Sequence, residues 1–208
     1  RAKAGFVSIA AVPSVAEAIL PSAVHDFLRD HPGVQIDIRD MDSTAVLREL
    51  DKERVDLGLA TAPGADASIA REELFSDDFG VVCRPDHPLA RETGPVDWRA
   101  LEPWTFVGNG ICRHIADEDF QRVFNSSRLM VRNTTSLLAM VRAGVGVTVL
   151  PRLAVIRSES QLTFLPATDP AAKRRIDVLR RNQHALTPAA EAFAATIRRT
   201  AQAIVPTW

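Results

Sequence analysis

Small polar side chains stand immediately before apolar helical patterns, where they could bind an anionic ligand. Asn133–Ser136 precede Leu137, Leu138 and Val141, which are apolar at helical spacing, and Ser14 stands at another strand-to-helix turn. Hydroxyl and amide groups cap helices, and the free backbone N–H groups of a helix start attract carboxylates and phosphates. Helix capping alone would also explain any single hydroxyl, and the two roles are compatible. We therefore predict ligand-facing helix starts at these turns.

Three further segments follow predicted strands and extend this prediction. Asp42-Ser43-Thr44 opens the second helix, Thr61 follows the third strand, and Gly108–Cys112 follows an apolar strand. The hydroxyl groups and the backbone N–H groups of the glycine loop would all be available to a ligand. A solvent-facing threonine and a merely flexible loop would equally explain Thr61 and the glycines.

The chain lacks the residue patterns of an enzyme or a metal site. No serine stands in a GxSxG elbow, and no phosphate-binding loop or GxGxxG follows a strand. The histidines have no i, i+4 partner or neighbouring cysteine, and Cys83 and Cys112 show no CxxC spacing. The adjacent pairs Glu72-Glu73 and Asp77-Asp78 are typical of a solvated face. We expect no enzyme activity, no cofactor and no metal.

The net charge gives no sign of a nucleic-acid-binding surface, and the hydropathy predicts a soluble protein. The 208 residues carry a net charge of -1, and 46% of them are hydrophobic, enough to bury a sizeable core. Lys173–Arg175 and Arg180-Arg181 are the clustered basic residues, and we expect them on a solvated loop and at a strand edge. We find no membrane span and no signal-peptide pattern, so we expect a cytoplasmic location.

Strands and helices alternate along the chain, which predicts an α/β fold with a mostly parallel sheet. Gly144 and Gly146 should end the helix that Asn133 opens and lead into Val147–Leu150, a β-branched run typical of a covered parallel strand. Ser14 is expected to cap a helix over 15–30 despite Pro21. The other expected helices cover about 43–52, 117–124 and 187–204. The other expected strands cover 6–11, 34–38, 55–59, 72–75, 79–83, 104–107, 129–132, 162–165 and 176–179.

The order and spacing of several motifs resemble the effector-binding domain of LysR-type transcriptional regulators. Ala143–Pro151 is similar to the family's glycine turn before a strand that ends in Leu-Pro, and Gly5–Ser14 is similar to its first strand and turn. Asp86–Ala90 resembles its HPLA loop. The remaining matches are Ile19–Pro21 with Phe27, His31-Pro32 and Val34, and Leu47–Leu50 with Arg54–Leu59. Together these matches cover about residues 5 to 198.

The resemblance implies a periplasmic-binding-protein-like fold of type 2, with two Rossmann-like lobes joined by two crossover strands. Lobe I would comprise 1–81 and 178–208, and lobe II 82–177, with the chain crossing near 81–84 and 175–179. An organic acid or an amino-acid-like metabolite would bind in the cleft between the lobes. The expected ligand-binding residues are Pro13, Ser14, Val15, Ser43, Thr44, Thr61, Gly110, Ile111, Cys112, Asn133, Thr134 and Thr135.

The resemblance also implies partners for this chain. A homodimer or tetramer would form, with helices 15–30 and 117–124 as candidate contacts, although their apolar residues would equally fit an internal position. DNA would be bound through an N-terminal winged helix-turn-helix and linker helix that are absent from this chain, and no membrane partner is expected. A stand-alone solute-binding protein of the same architecture is the second hypothesis, and an enzyme on this scaffold is the third.

Cys112 raises a further alternative. The Gly110-Ile111-Cys112 placement resembles the reactive cysteine loop of the family's peroxide-sensing branch, and Arg113 and His114 would lower the pKa of its thiol. No second cysteine follows within a few residues, which departs from that branch. A thiol that lines the ligand pocket is therefore favoured, with single-cysteine redox sensing as the alternative.

Overall fold

The computed structural model describes residues 5–64, 66–158, 160–169 and 172–205, with the side chain of Arg157 left out. These residues form two units, Arg1–Ser76 with Arg175–Trp208 and Asp77–Arg174. The chain changes unit inside two strands, β4 (Ile69–Cys83) and β9 (Lys173–Arg181). The sequence placed these changes a few residues later, after 81 and after 177.

Unit 1 is built on a parallel sheet of three short strands. β1 (Phe6–Ala11) lies between β2 (Gln35–Asp40) and β3 (Leu57–Ala60) and is parallel to both. β9 then pairs antiparallel with β3, so that Leu59 faces Val178. Alternating apolar residues such as Val7 and Ile9 are fully buried, as expected of strands with helices on the sheet faces.

Four helices complete the part of unit 1 that the structure describes. They are α1 (Pro13–Ala18), α2 (Leu20–Asp30), α3 (Ser43–Asp51) and α6 (Pro188–Ile204). The rings of Phe27 on α2 and Phe193 on α6 lie 4.9 Å apart in the core. α3 packs closely on β3, because a Cβ at Gly58 would lie only 2.7 Å from Leu50 and 2.8 Å from Val46.

Unit 2 is built around the second half of β4. β7 (Thr148–Pro151) and β8 (Thr163–Pro166) both pair antiparallel with it. A small parallel pair, β5 (Val107–Gly108) and β6 (Leu129–Met130), stands apart from that sheet. The described residues of this unit also form the helices α4 (Glu118–Ser126) and α5 (Thr134–Arg142), with 3-10 turns before α4 and after β7. Phe79, Trp98 and Phe120 fill one apolar core of this unit, and Leu137, Val141 and Leu150 fill another.

Several predicted helix starts are confirmed by side-chain caps. Asp42 accepts from the backbone N–H of Ala45 at the start of α3, and Asp117 does the same for Phe120 at α4. Asn133 opens α5 in the same way, and Gly144 follows its end with φ of +79°. A positive φ after the last turn is typical of a helix C-cap, so the glycine has a physical reason there.

Other predictions about single elements were wrong. Ser14 does not cap a helix over 15–30, because the helix starts at Pro13 and breaks at Ile19, where Pro21 enters the first turn of α2. The strands expected at 72–75 and 79–83 form one strand, β4. The strand expected at 104–107 is shorter and lies later in the chain, as β5. Phe106 forms one isolated bridge with Val147. β7 pairs antiparallel rather than parallel, since it returns beside β4.

The basic and acidic runs at the unit boundary were also misjudged. Arg174 was expected on a solvated loop and Asp77 on a solvated face, yet both are buried, because they pair with each other inside unit 2. Their neighbours Lys173 and Asp78 are exposed as predicted. Among the described residues, no helix is long and apolar enough to cross a membrane.

Candidate functional site

The carboxyl ends of β1, β2 and β3 place half of the predicted ligand-binding residues along one edge of unit 1. Backbone hydrogen bonds tie these ends together, from Val12 N to Leu59 O and from Met41 N to Ala11 O, each 3.0 Å long. The ends of parallel strands, with the helix starts that follow them, are the usual ligand edge of such sheets. The predicted residues along it are Pro13, Ser14, Val15, Ser43, Thr44 and Thr61.

A direct hydrogen bond brings two of these residues together. The backbone N–H of Thr61 donates to Ser43 Oγ over 3.3 Å, so the segment after β3 is held against the start of α3. The Ser43 hydroxyl proton remains available to a ligand, because this bond uses only an acceptor lone pair. Ser14 lies in the first turn of α1 and is 5% exposed.

Acidic residues surround this edge of unit 1. Asp40 ends β2, and Asp42 caps α3 through its Oδ1. Burial raises the pKa of Asp40 above its ordinary value. The start of α3 thus already has a carboxylate beside its positive dipole end, which opposes a second anion there.

The remaining predicted residues lie at the carboxyl ends of β5 and β6 in unit 2. A 3-10 turn over Gly110–His114 follows β5, and α5 begins shortly after β6. The Thr134 and Thr135 N–H groups lie in the first turn of α5, where no intrahelical acceptor exists. Gly110, Asn133 and Thr135 are exposed, and Ile111 and Thr134 are half-buried.

Asn109 links these two segments, although no separate role was predicted for it. Its Nδ2 donates to the carbonyls of Val131 and Arg132, and its Oδ1 accepts from Ile111 N. An Asn between a strand and a glycine is a known turn signal, so the local cap was predictable. The bonds to Val131 and Arg132 were not, because they depend on β5 and β6 lying side by side.

Cys112 is not the reactive thiol that one hypothesis required. Its side chain is fully buried, and its Sγ donates to Val149 O over 3.2 Å. Burial raises the pKa of Cys112 to about 12. Arg113 and His114 are both exposed, so the prediction that they lower this pKa was wrong. A buried, protonated thiol reacts slowly with oxidants.

A surface cavity of about 340 Å³ lies at the opposite end of β5 from these residues. None of the predicted ligand-binding residues lines it. In the part of the chain that the structure describes, no group of His, Cys, Asp and Glu is placed to hold a metal ion. The cavity lining comprises Leu101, Glu102, Pro103, Trp104, Thr105, Phe106, Val123, Ser126, Ser127 and Arg128.

The fold is that of a ligand-binding domain. The sequence model of the LysR substrate binding domain matches residues 1–202, and the chain belongs to this family. The family assignment confirms the resemblance inferred from the motifs.

The curated relatives are transcriptional regulators. The Escherichia coli transcriptional activator protein LysR is 31% identical over 73% of this chain and 50% of its own length. The E. coli HTH-type transcriptional regulator YbhD is 27% identical over 93% of this chain and 62% of its own length. This chain therefore spans between half and two thirds of the length of these two regulators.

Solved structures of the same class confirm the fold. The effector-binding domain of QuiR in complex with shikimate superposes with a TM-score of 0.79 at 17% sequence identity. The superposition covers 96% of this chain and 98% of that domain. The fold is therefore the periplasmic-binding-protein-like α/β fold of LysR effector-binding domains, with a mixed sheet.

Proposed function

We propose that this chain is the sensor of a LysR-type transcriptional regulator and binds a small organic acid or amino-acid-like metabolite at the strand ends that carry the predicted residues. The family assignment supports the sensor role. The observation that carries the site is the grouping of the predicted residues at the carboxyl ends of parallel strands, six in each unit.

The two edges differ in the chemistry that they offer to a ligand. The edge of unit 2 offers backbone N–H groups at Thr134 and Thr135, which suit a carboxylate. The edge of unit 1 offers the Ser43 hydroxyl together with the acidic Asp40 and Asp42. An amino acid carries both a carboxylate, which suits such N–H groups, and an ammonium group, which suits acidic side chains, so we favour it over a simple acid. The shikimate bound by QuiR, itself a carboxylate, supports the acidic half of this proposal.

The full-length protein would control transcription through a DNA-binding domain outside this chain. We propose a homodimer or tetramer, as the family resemblance implies, without enzyme activity and in the cytoplasm. Leu28 on α2 is 36% exposed, and Ile38 on the edge strand β2 is 41% exposed. Leu28 is the residue that a contact of the 15–30 region with a second copy would cover.

The redox alternative is disfavoured by the surroundings of Cys112. A thiol with a pKa of about 12, buried in the core of unit 2, carries almost no thiolate at neutral pH. Oxidant sensing needs that thiolate and access to it. We therefore retain Cys112 as a core residue beside the proposed site.

Thermal stabilisation against matched ligand pairs tests the proposal. Each amino acid in the panel is paired with the acid that lacks its amino group, and shikimate and benzoate are included. A ligand that binds only the folded chain raises its melting temperature in a saturable way. We expect an amino acid to raise it more than its paired acid. If no small acid or amino acid shifts the melting temperature, the sensor proposal fails.

Two variants then test where the ligand binds. Ser43→Ala and Thr134→Ala each remove a hydroxyl at a helix start and should each reduce the ligand-induced shift. Thr134→Ala should leave the unliganded melting temperature nearly unchanged, whereas Ser43→Ala should lower it slightly, because Thr61 N loses its acceptor. Ser22→Ala, an exposed hydroxyl on α2, is the matched control and should bind normally. Normal binding by both site variants would place the ligand elsewhere.

A further inference from the structure

The Asn109 side chain is fully used in bonds that join two separate segments of unit 2. Its Nδ2 donates to Val131 O over 2.7 Å and to Arg132 O over 3.0 Å. Its Oδ1 accepts from Ile111 N over 3.1 Å. The residue is 6% exposed. Both amide protons and the carbonyl oxygen therefore have partners, and little of the group is left for a ligand.

The two joined segments are the ones that carry the predicted ligand-binding residues of unit 2. Gly110, Ile111 and Cys112 come directly after Asn109, and Asn133 comes directly after Arg132. β5 and β6 are two residues long each, so the strand pairing that could hold these segments is short. One further backbone bond, from Val131 N to Gly108 O over 2.9 Å, continues the pairing.

We infer that Asn109 is a positioning residue that fixes the 110–112 turn and the start of α5 relative to each other before a ligand arrives. Its bonds to Val131 and Arg132 cross between the segments, whereas its bond to Ile111 is local to the turn. The inference that this arrangement serves ligand binding rests on the proposed function. A site ordered in advance binds more tightly, because the ligand does not have to order its walls.

Hydrogen exchange of single amides in the unliganded chain tests the inference. Asn109→Asp keeps an oxygen that can accept from Ile111 N and removes both amide protons that hold Val131 and Arg132. We expect the Val131 amide, which bonds to Gly108 O, to exchange about tenfold faster in this variant. Ile111 should stay protected. Asn109→Ala should speed exchange at both the Val131 and the Ile111 amides.

A purely local capping role gives a different result. In that case Asn109→Ala would speed exchange at Ile111 alone, and Val131 would behave as in the unchanged chain in both variants, which would overturn the inference. Asn133→Ala is the matched control, because this asparagine caps α5 by accepting from Ser136 N. It should speed exchange at the start of α5 and leave Val131 protected. Amides of β4 report whether the fold survives.

Ligand affinity provides the second measurement. For any amino acid or carboxylate that stabilises the unchanged chain, we expect Asn109→Asp to weaken binding about tenfold, which corresponds to the ordering of roughly one or two side chains. Unaltered affinity together with faster exchange at Val131 would overturn the positioning role. If no compound in the panel binds, the proposed function fails, and the exchange result alone decides whether Asn109 joins the segments.

Discussion

Arg174 Nη2 lies 2.8 Å from Asp77 Oδ2 in a buried ion pair at the boundary of unit 2. Asp77 is the first residue of this unit and Arg174 is the last. Arg174 Nε also donates to Asp77 Oδ2 over 3.3 Å, and the Asp77 oxygens lie 3.3 and 3.4 Å from the backbone N of Leu153, which gives the carboxylate a third donor. The Asp77 side chain on β4 thus bonds to Arg174 on β9 and to Leu153 in the 3-10 turn after β7.

Breaking this pair on one side should destabilise the chain strongly. Asp77→Ala leaves the Arg174 guanidinium buried without its carboxylate, and such losses cost about 3–5 kcal/mol. We expect a clear drop in the urea midpoint of unfolding. Asp78→Ala is the matched control, because Asp78 is exposed and its pair with Lys173 should contribute at most about 1 kcal/mol. Equal effects of the two variants would contradict a structural role for the buried pair.

His87 should make the stability of unit 2 depend on pH. Its Nδ1 accepts from Leu89 N over 3.2 Å, which requires a neutral ring, and burial lowers its pKa although Asp86 opposes the shift. A histidine whose pKa is lower in the folded chain than its unfolded value of about 6.5 stabilises the fold above that pH. This stabilisation is lost as the pH falls through the folded pKa.

The measurement compares His87→Asn with the unchanged chain, since Asn retains an acceptor for the Leu89 N–H. Between about pH 8 and about pH 5.5 the unchanged chain should lose more unfolding free energy than the variant. His25→Asn is the control for a histidine-to-asparagine change at the surface, because the His25 side chain is 78% exposed. Parallel pH curves for His87→Asn would show that this ring is not the titrating group.

Both thiols should resist reagents until the chain unfolds. Burial raises the pKa of Cys83 to about 11 and that of Cys112 to about 12, and both residues are fully buried. A water-soluble aromatic disulfide should therefore label neither residue in the native chain and both after denaturation. Rapid native labelling that disappears in Cys112→Ser would revive the redox hypothesis.

Gly146 should tolerate no side chain, which explains the second glycine of the turn before β7. A Cβ at this position would collide with the backbone carbonyl of Thr105, and backbone cannot move aside as a flexible side chain can. We expect Gly146→Ala to lower the free energy of unfolding by about 1–3 kcal/mol. Gly94→Ala, where no atom lies within 4 Å, is the control and should be nearly neutral.

The sequence predicted features that depend on neighbouring residues. Helix starts at Asp42, Asp117 and Asn133 follow from local capping chemistry, and the turn at Gly144 follows from its freedom to adopt a positive φ. The grouping of Ser43 with Thr61 follows from the rule that carboxyl ends of parallel strands share an edge.

Features that depend on distant pairing were missed. Asp77 and Arg174 look like surface charges because each stands in a charged run, and their burial depends on a partner 97 residues away. One signal was available in the strand itself, since Asp77 takes the inward position that alternates with Phe75, Phe79 and Val81. The antiparallel placement of β7 likewise depends on the tertiary path of β4.

The division of the chain within β4 and β9 has a consequence for its synthesis. Unit 2 is one continuous segment, and its first and last residues touch through the Asp77–Arg174 pair, so all of it is available to fold once residue 174 has left the ribosome. Unit 1 must wait, because β9 pairs with β3 and Phe193 packs on Phe27. Until then the edge of β3 stays unpaired, and a nascent chain stalled before β9 would expose it to association with other chains.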